Sequence, residues 1–427
     1  MRFLAIVFVL LCIPTVSLAA LNNIAFTRSQ QLDSDFLLRW TIEDGQIRIG
    51  IEATAAGWVG FGITEAGGMK GADIVYFEAG SGNLVDAHAL EYSMPLADVC
   101  QDWVLLSGSK EGGKIIVEAT RPLRTDDNED WELADDSEFQ QGHAFIAAWG
   151  DSETISYHGA KRTSGRIQLF GSAPVDRLAL IRAADSGIVE SDILHTDNPI
   201  PARPTTYHEW CVDLQEAVGF DDAAAAVPRH VVAYDAVLDP DTEPYVHHFV
   251  VYGHASRDCG ESQSRPGMGA LPGAIVMGWA PGRQAMVMPP AAGLRIFGDE
   301  GYRSFVVQTH YNNPDRVSGL LDSSGLRLYH TQALRQHDIG VMQIGDPVLY
   351  LALINQQVAS GWSKHSFECG KMTSDFEADE VTVFSRFLHM HAAGERMEVV
   401  QMRGDQEVRR DSVEVYDFEQ SGGDDPG

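Results

Sequence analysis

Five histidines lie in three apolar, β-branched segments, and their side chains are natural ligands for a redox metal. They are His247 and His248 in YVHHFVV, His310 in FVVQTHY, and His389 and His391 in RFLHMH. Neutral imidazole is the commonest metal-binding side chain, and it suits copper, zinc and iron. His389 and His391 are two apart. On a strand, residues i and i+2 project from one face, so this pair makes a two-nitrogen clip with Met390 turned away. The competing interpretation is a pair of polar surface histidines, and the flanking Phe387 and Leu388 weigh against it. His247 and His248 pose a different problem. Adjacent strand residues face opposite sides, so a regular strand cannot aim both at one ion. A twist, a bulge or mixed use of the ring nitrogens is required. His310, taken alone, reads more readily as a satisfied core or edge histidine.

The other histidines say less. His230, His254 and His330 fall at strand ends and read as surface or supporting residues, while His195, His208, His337 and His365 fall in apparent loops. GWAPG lacks the phosphate-loop pattern and reads as a turn. No nucleophile elbow accompanies a Ser-His-Asp set.

The elements that must position these side chains are strands. Over residues 20–185, runs such as LLRWTI, IRIGIEA, GWVGFGI, KIIVEATRPL and HAFIAAWG alternate or are β-branched, and turn residues separate them. That pattern predicts an antiparallel sandwich. Residues 186–206, with Pro199, Pro201 and Pro204, read as a linker, and the acidic DDAAAA that follows reads as a surface insertion. Strands resume over residues 207–344 (HVVAYDAVL, YVHHFVVYG, RSFVVQTHY, GLRLYHT) and again over residues 345–427 (VLYLALI, TVFSRFLHMH, MEVVQMR, DSVEVYDF). The expected class is all-β, without a long amphipathic helix. The last region is short for a core of its own, so the chain reads as truncated relative to a complete fold.

Composition sets outer limits. The chain has 427 residues and a formal net charge of -30, which argues against nucleic acid or an anionic membrane surface as partner. Residues 1–19 read as a signal peptide: Arg2 precedes an apolar run, and Ser17-Leu18-Ala19 offers a cleavage site. No later segment reaches membrane-spanning length. The expected location is therefore secreted, or the lumen of the secretory pathway. No Asn-x-Ser/Thr sequon is present. Beyond the signal peptide stand Cys100, Cys211, Cys259 and Cys369. Disulfides are the default there, and their spacing leaves every pairing open.

Taken together, the second half resembles the copper type II, ascorbate-dependent monooxygenases, in the branch that includes dopamine β-monooxygenase. The resembling stretches are YVHHFVVYGH, IVMGWAPGRQAMVMPPAAGLRIFG, RSFVVQTHYNNP, SGLRLYHTQALRQHDIGVMQIG and RFLHMHAAG, in the order of that branch. The first half resembles a DOMON domain, through GWVGFGITEAGGMKGADIVYF and SYHGAKRTSGRIQLF. The resemblance implies two jelly-roll-like copper domains, the second incomplete. It implies hydroxylation of an aliphatic C–H carbon of a small molecule, with O2 and with ascorbate as reductant. His247, His248 and His310 then match the copper that collects electrons. His389 and His391 match two ligands of the second copper, where substrate reacts. It also implies a Cys211–Cys259 disulfide. The family's further methionine ligand lies well downstream of the HxH pair. Here the chain ends first, and Met397 and Met402 follow too closely. Cys369 loses its usual partner in the same way. A copper-binding pseudoenzyme or truncated gene product is the alternative. A haem- or sugar-binding DOMON module is another, with Met69 and His158 near the positions of haem ligands in some DOMON cytochromes; this branch usually lacks haem.

Overall fold

The computed structural model describes residues 25–65, 67–133, 142–170, 177–259, 274–281, 285–342, 344, 361–369, 381–386, 388, 390, 394–414 and 416. The expected signal peptide, residues 1–19, lies outside them, as do His389 and His391.

The first half is a two-sheet sandwich. One sheet has the order β1-β2-β3-β9-β8 and the other β11-β10-β4-β5-β6-β7. In chain order these strands are β1 (Arg28–Asp33), β2 (Phe36–Glu43), β3 (Gln46–Ala53), β4 (Trp58–Thr64), β5 (Asp73–Glu78), β6 (Asn83–His88), β7 (Leu96–Ala97), β8 (Val104–Glu111), β9 (Lys114–Pro122), β10 (His143–Gly150) and β11 (Arg162–Ile167). Alternation drives the assembly. On β2, Phe36, Leu38 and Trp40 point inward and meet Phe61, Phe145 and Trp149 of the facing sheet. The close pairing of β4 and β5 needs a small residue at Gly62, where a Cβ would meet the Asp73 carbonyl oxygen at 2.7 Å.

The second half begins with a short helix, α1 (Arg177–Ala184), and then forms a second sandwich. Its strands are β12 (Val189–Leu194), β13 (Asn198–Pro199), β14 (Thr205–Asp213), β15 (Arg229–Val237), β16 (Val246–His254), β17 (Ala274–Trp279), β18 (Met286–Val287), β19 (Ala292–Ile296), β20 (Ser304–Asn312), β21 (Leu321–Asp322), β22 (Gly325–Thr331) and β23 (His337–Asp338). One sheet runs β12-β22-β15-β19-β23, the other β14-β20-β16-β17. Val231, Leu294, Ile296 and Leu328 pack into one core with Phe249, Val251, Phe305 and Val307. A hairpin of β24 (Met397–Arg403) and β25 (Gln406–Val413) follows. The class is all-β, as expected.

Three expectations fail locally. Residues 186–206 are not a loose linker. Strand β12 pairs with β22 along its whole length, β13 pairs with β21, and Ile193 and Ile200 enter the core. Proline density misleads here, because Pro199 occupies a two-residue pairing, a place proline tolerates. The DDAAAA stretch is anchored rather than a surface insertion. Asp221 caps a helical turn at Asp222–Ala225, and the buried Ala225 offers its carbonyl oxygen to Gly298 N and Arg303 Nη1, each at 3.2 Å. Residues 382–386, expected in a strand, form none. No helix among the described residues is long and apolar enough to cross a membrane.

Candidate metal centre

Strands β16 and β20 bring His247, His248 and His310 together through one irregularity. Val246 pairs with Tyr311, and the next pair is His248 with His310. Two steps on β16 match one step on β20, so His247 is the extra residue of a β-bulge. That is the device adjacent histidines need to share one face. The ligand atoms of all three imidazoles lie within 4.8 Å of one another. His247 Nδ1 and His248 Nδ1 are 2.9 Å apart, and the His310 ring centroid is 4.4 Å from that of His247 and 4.8 Å from that of His248.

The three are largely shielded from water, with exposures of 6%, 9% and 3% for His247, His248 and His310. Burial pushes the His310 imidazole down to about 4, so at ordinary pH it is neutral, the form in which an imidazole binds a metal. A three-imidazole nitrogen set in a buried wall suits copper in either oxidation state and gives a hard oxygen-seeking ion nothing to hold.

Two supporting features have no sequence signal. Tyr207 on β14 lies directly across from His310, and its ring stacks on the imidazole at 4.3 Å with a 15° tilt. Beneath the site, Tyr311 donates from Oη to Asp322 Oδ2 at 2.8 Å and accepts from Asn198 Nδ2 at 2.9 Å. Thr242 and Ser324 donate to Asp322 Oδ1 at 2.6 and 2.5 Å. This buried network fixes the residue next to His310. Register and a contact between distant segments create both features, so only long-range pairing reveals them.

Other expectations sort as follows. His230 and His330 are fully buried rather than at the surface. His230 Nδ1 accepts from Arg335 N at 3.0 Å, and its Nε2 lies 2.7 Å from Asp338 Oδ1, which ties β15 to β23. His330 Nε2 lies 3.0 Å from Ser191 Oγ. His208 is on β14 rather than in a loop, and the His195 ring stacks between those of His208 and Trp210. Met69 packs on Ala72, Ile74 and Ala89, and His158 Nδ1 lies 2.9 Å from the Gly159 carbonyl oxygen. Cys211 and Cys259 are bridged, with Cα atoms 5.9 Å apart. Cys369 is exposed and free. The HxH pair, His389 and His391, lies outside the described residues.

Two family models and several curated proteins are similar to parts of this chain. Residues 32–143 match the DOMON domain, and residues 191–318 match the N-terminal domain of copper type II ascorbate-dependent monooxygenases. The chain is 26% identical over 409 residues to DBH-like monooxygenase protein 1 of Gallus gallus, covering 90% of this chain and 62% of that protein. It is 29% identical over 372 residues to dopamine beta-hydroxylase of Bos taurus, covering 82% of this chain and 58% of that protein. The chain thus spans about three fifths of the length of these curated relatives. Among solved structures, the cytochrome domain of Myriococcum thermophilum cellobiose dehydrogenase aligns at a TM-score of 0.26 and 14% identity, over 36% of this chain and 88% of that one.

Proposed function

We propose that this chain, which matches models of the DOMON domain and of the N-terminal domain of copper type II ascorbate-dependent monooxygenases, is a monooxygenase of that family and hydroxylates an aliphatic C–H carbon of a small molecule. One atom of O2 enters the C–H bond, the other leaves as water, and ascorbate supplies the two electrons. The observation that carries this reading is the bulge that turns His247 and His248 onto the face of His310.

Copper held by these imidazoles supplies one-electron redox chemistry. The chain's own residues do the rest. His247, His248 and His310 bind the ion on paired strands, so sheet rather than loop sets their spacing. Tyr207 orients the His310 ring by stacking. His389 and His391 are assigned to a second copper and to the reacting centre. The proposed division is a signal peptide (1–19), a DOMON domain (20–185), a first copper domain that takes in residues 186–344, and a second copper region (345–427). A secreted or lumenal location is proposed with it. The leader MRFLAIVFVLLCIPTVSLAA and the Cys211–Cys259 bridge, which an oxidising compartment favours, support that placement.

The test is copper content after dialysis, together with ascorbate-dependent oxygen uptake over a panel of small C–H substrates. Copper bound through the imidazole set, lost in His310→Ala, with uptake that needs substrate, is the expected result. Full copper retention by His310→Ala would overturn the site. Copper retained without oxygen uptake would leave a copper-binding protein without turnover.

A further inference from the structure

A lysine of the first sandwich pairs with a glutamate 325 positions away, beside the HxH segment. Lys70 lies in the loop between β4 and β5, and Glu395 lies four residues after His391. The Lys70 side chain is 12% exposed and that of Glu395 42%. The Lys70 ammonium donates to Glu395 Oε2, and Glu395 is its ion-pair partner among the described residues. An ammonium drawn this far out of water needs an opposite charge, so the contact selects where the segment carrying Glu395 can rest. Glu414 N adds a second contact to the same loop, donating to Glu65 Oε1 at 3.3 Å.

The loop presents Lys70 from a fixed place. Gly71, at φ +72°, donates its N–H to the Ala89 carbonyl oxygen at 2.7 Å, and its own carbonyl oxygen accepts from Trp131 Nε1 at 2.8 Å. Met69 packs on Ala72, Ile74 and Ala89. On the other side, Tyr416 N donates to the Glu395 carbonyl oxygen at 2.7 Å. The buried Tyr416 phenol accepts from Met390 N at 2.6 Å and donates to the Met390 carbonyl oxygen at 2.7 Å. Met390 stands between His389 and His391 in sequence. A continuous path of polar contacts thus runs from the first sandwich through Lys70, Glu395 and Tyr416 to the main chain between the two histidines. The hairpin of β24 and β25 needs such support, because it forms a two-stranded sheet of its own, a unit that is marginal in water. Lys364 and Arg386 also pair with it, through Glu398 and Asp411, but they come from segments without strands. The same sandwich touches the first metal domain as well. Arg162 Nη2 donates to the Pro244 carbonyl oxygen at 3.2 Å, three residues before His247.

We propose that the β4–β5 loop of the first sandwich is the docking surface for the segment that carries the HxH pair, with Lys70 and Tyr416 as positioning residues for His389 and His391. The positioning role rests on the proposed assignment of that pair to a second copper; the docking does not. Lys70 fixes Glu395 by charge. Tyr416 holds both the amide and the carbonyl of Met390, which leaves that residue's main chain little freedom to rotate. Two ligands separated by one residue are held no more firmly than the main chain between them, so this support acts on the metal clip without touching the metal. Through Arg162 the same sandwich also meets the segment that leads into β16. It therefore contacts both metal-bearing parts of the chain, a mechanical role that requires no ligand of its own.

The experiment uses the full chain, first without copper. Amide hydrogen exchange over β24 and β25 reads the docking. Lys70→Gln should speed exchange there by about tenfold, the scale of losing one partner of a partly buried ion pair, and leave the strands of the first sandwich protected. Combining Lys70→Glu with Glu395→Lys should restore protection, which a loss of local folding would not do. Copper is then added, and the second equivalent is followed by chelator competition and electron paramagnetic resonance. Tyr416→Phe should weaken that equivalent by about tenfold and alter its spectrum, with the equivalent at His247, His248 and His310 unchanged. Unchanged exchange in Lys70→Gln, or no recovery in the charge-exchanged pair, would overturn the docking surface. Unchanged second-copper binding by Tyr416→Phe would overturn its positioning role. A parent chain that takes up one copper alone would end that role together with the second-copper assignment, and the exchange result would still decide the docking.

Discussion

His248 stands directly opposite His310 on paired strands β16 and β20, and the bulge residue His247 joins them on the same face. A strand without the bulge would direct His247 to the other side of the sheet. The local irregularity is therefore what makes a three-nitrogen site from two adjacent histidines.

The stacked ring of Tyr207 should matter to the metal as well as to the fold. Tyr207→Ala removes the surface that orients His310 and should lower copper affinity about tenfold, the usual scale for residues that support a ligand. Tyr207→Phe keeps the ring and should bind nearly as the parent chain does. Equilibrium competition with a copper chelator distinguishes the two.

Tyr311→Phe should destabilise the second sandwich by about 1–3 kcal/mol, because Asp322 Oδ2 and Asn198 Nδ2 both lose their phenolic partner in a buried place. Urea denaturation monitored by far-UV circular dichroism gives the value. An unchanged midpoint would mean that water replaces the hydroxyl without cost.

The Cys211–Cys259 bridge closes a separation of 48 residues between β14 and the segment after β16. Its removal in a Cys211→Ser/Cys259→Ser double variant should cost about 4 kcal/mol in the chain-entropy description. Non-reducing peptide mapping of the parent chain should return the two cysteines in one linked fragment.

His330 predicts a pH dependence. Burial first, and the Arg229 charge second, hold its imidazole down to about 4 in the folded chain, against an ordinary 6.5. Above pH 6.5 it is neutral in both states and adds no slope. As pH falls from 6.5 to 4, the unfolded chain takes up a proton that the folded chain refuses, so stability falls, by about 3 kcal/mol in all. His330→Asn should flatten the stability profile across that window and leave it unchanged above pH 7. A parallel profile for parent and variant would contradict the assignment.

The sequence by itself determined the all-β class and singled out the imidazoles that could hold a metal. Alternation along strands such as FLLRWTI and the chemistry of histidine are local properties, and they survive whatever the chain does elsewhere. Tertiary structure decided the rest. Whether His247 and His248 serve one ion depends on a register shift against β20, which no residue of YVHHFVV announces. The stacking of Tyr207 on His310 joins residues 103 apart by number, and the buried partnership of Tyr311 with Asp322 joins two ends of a loop. The proline-rich stretch before Thr205 becomes sheet because β22 leaves an edge for β12 to pair with. Each of these is a pairing between distant segments. Its free energy comes from the partner that happens to lie opposite, and a reading along one strand does not contain that partner.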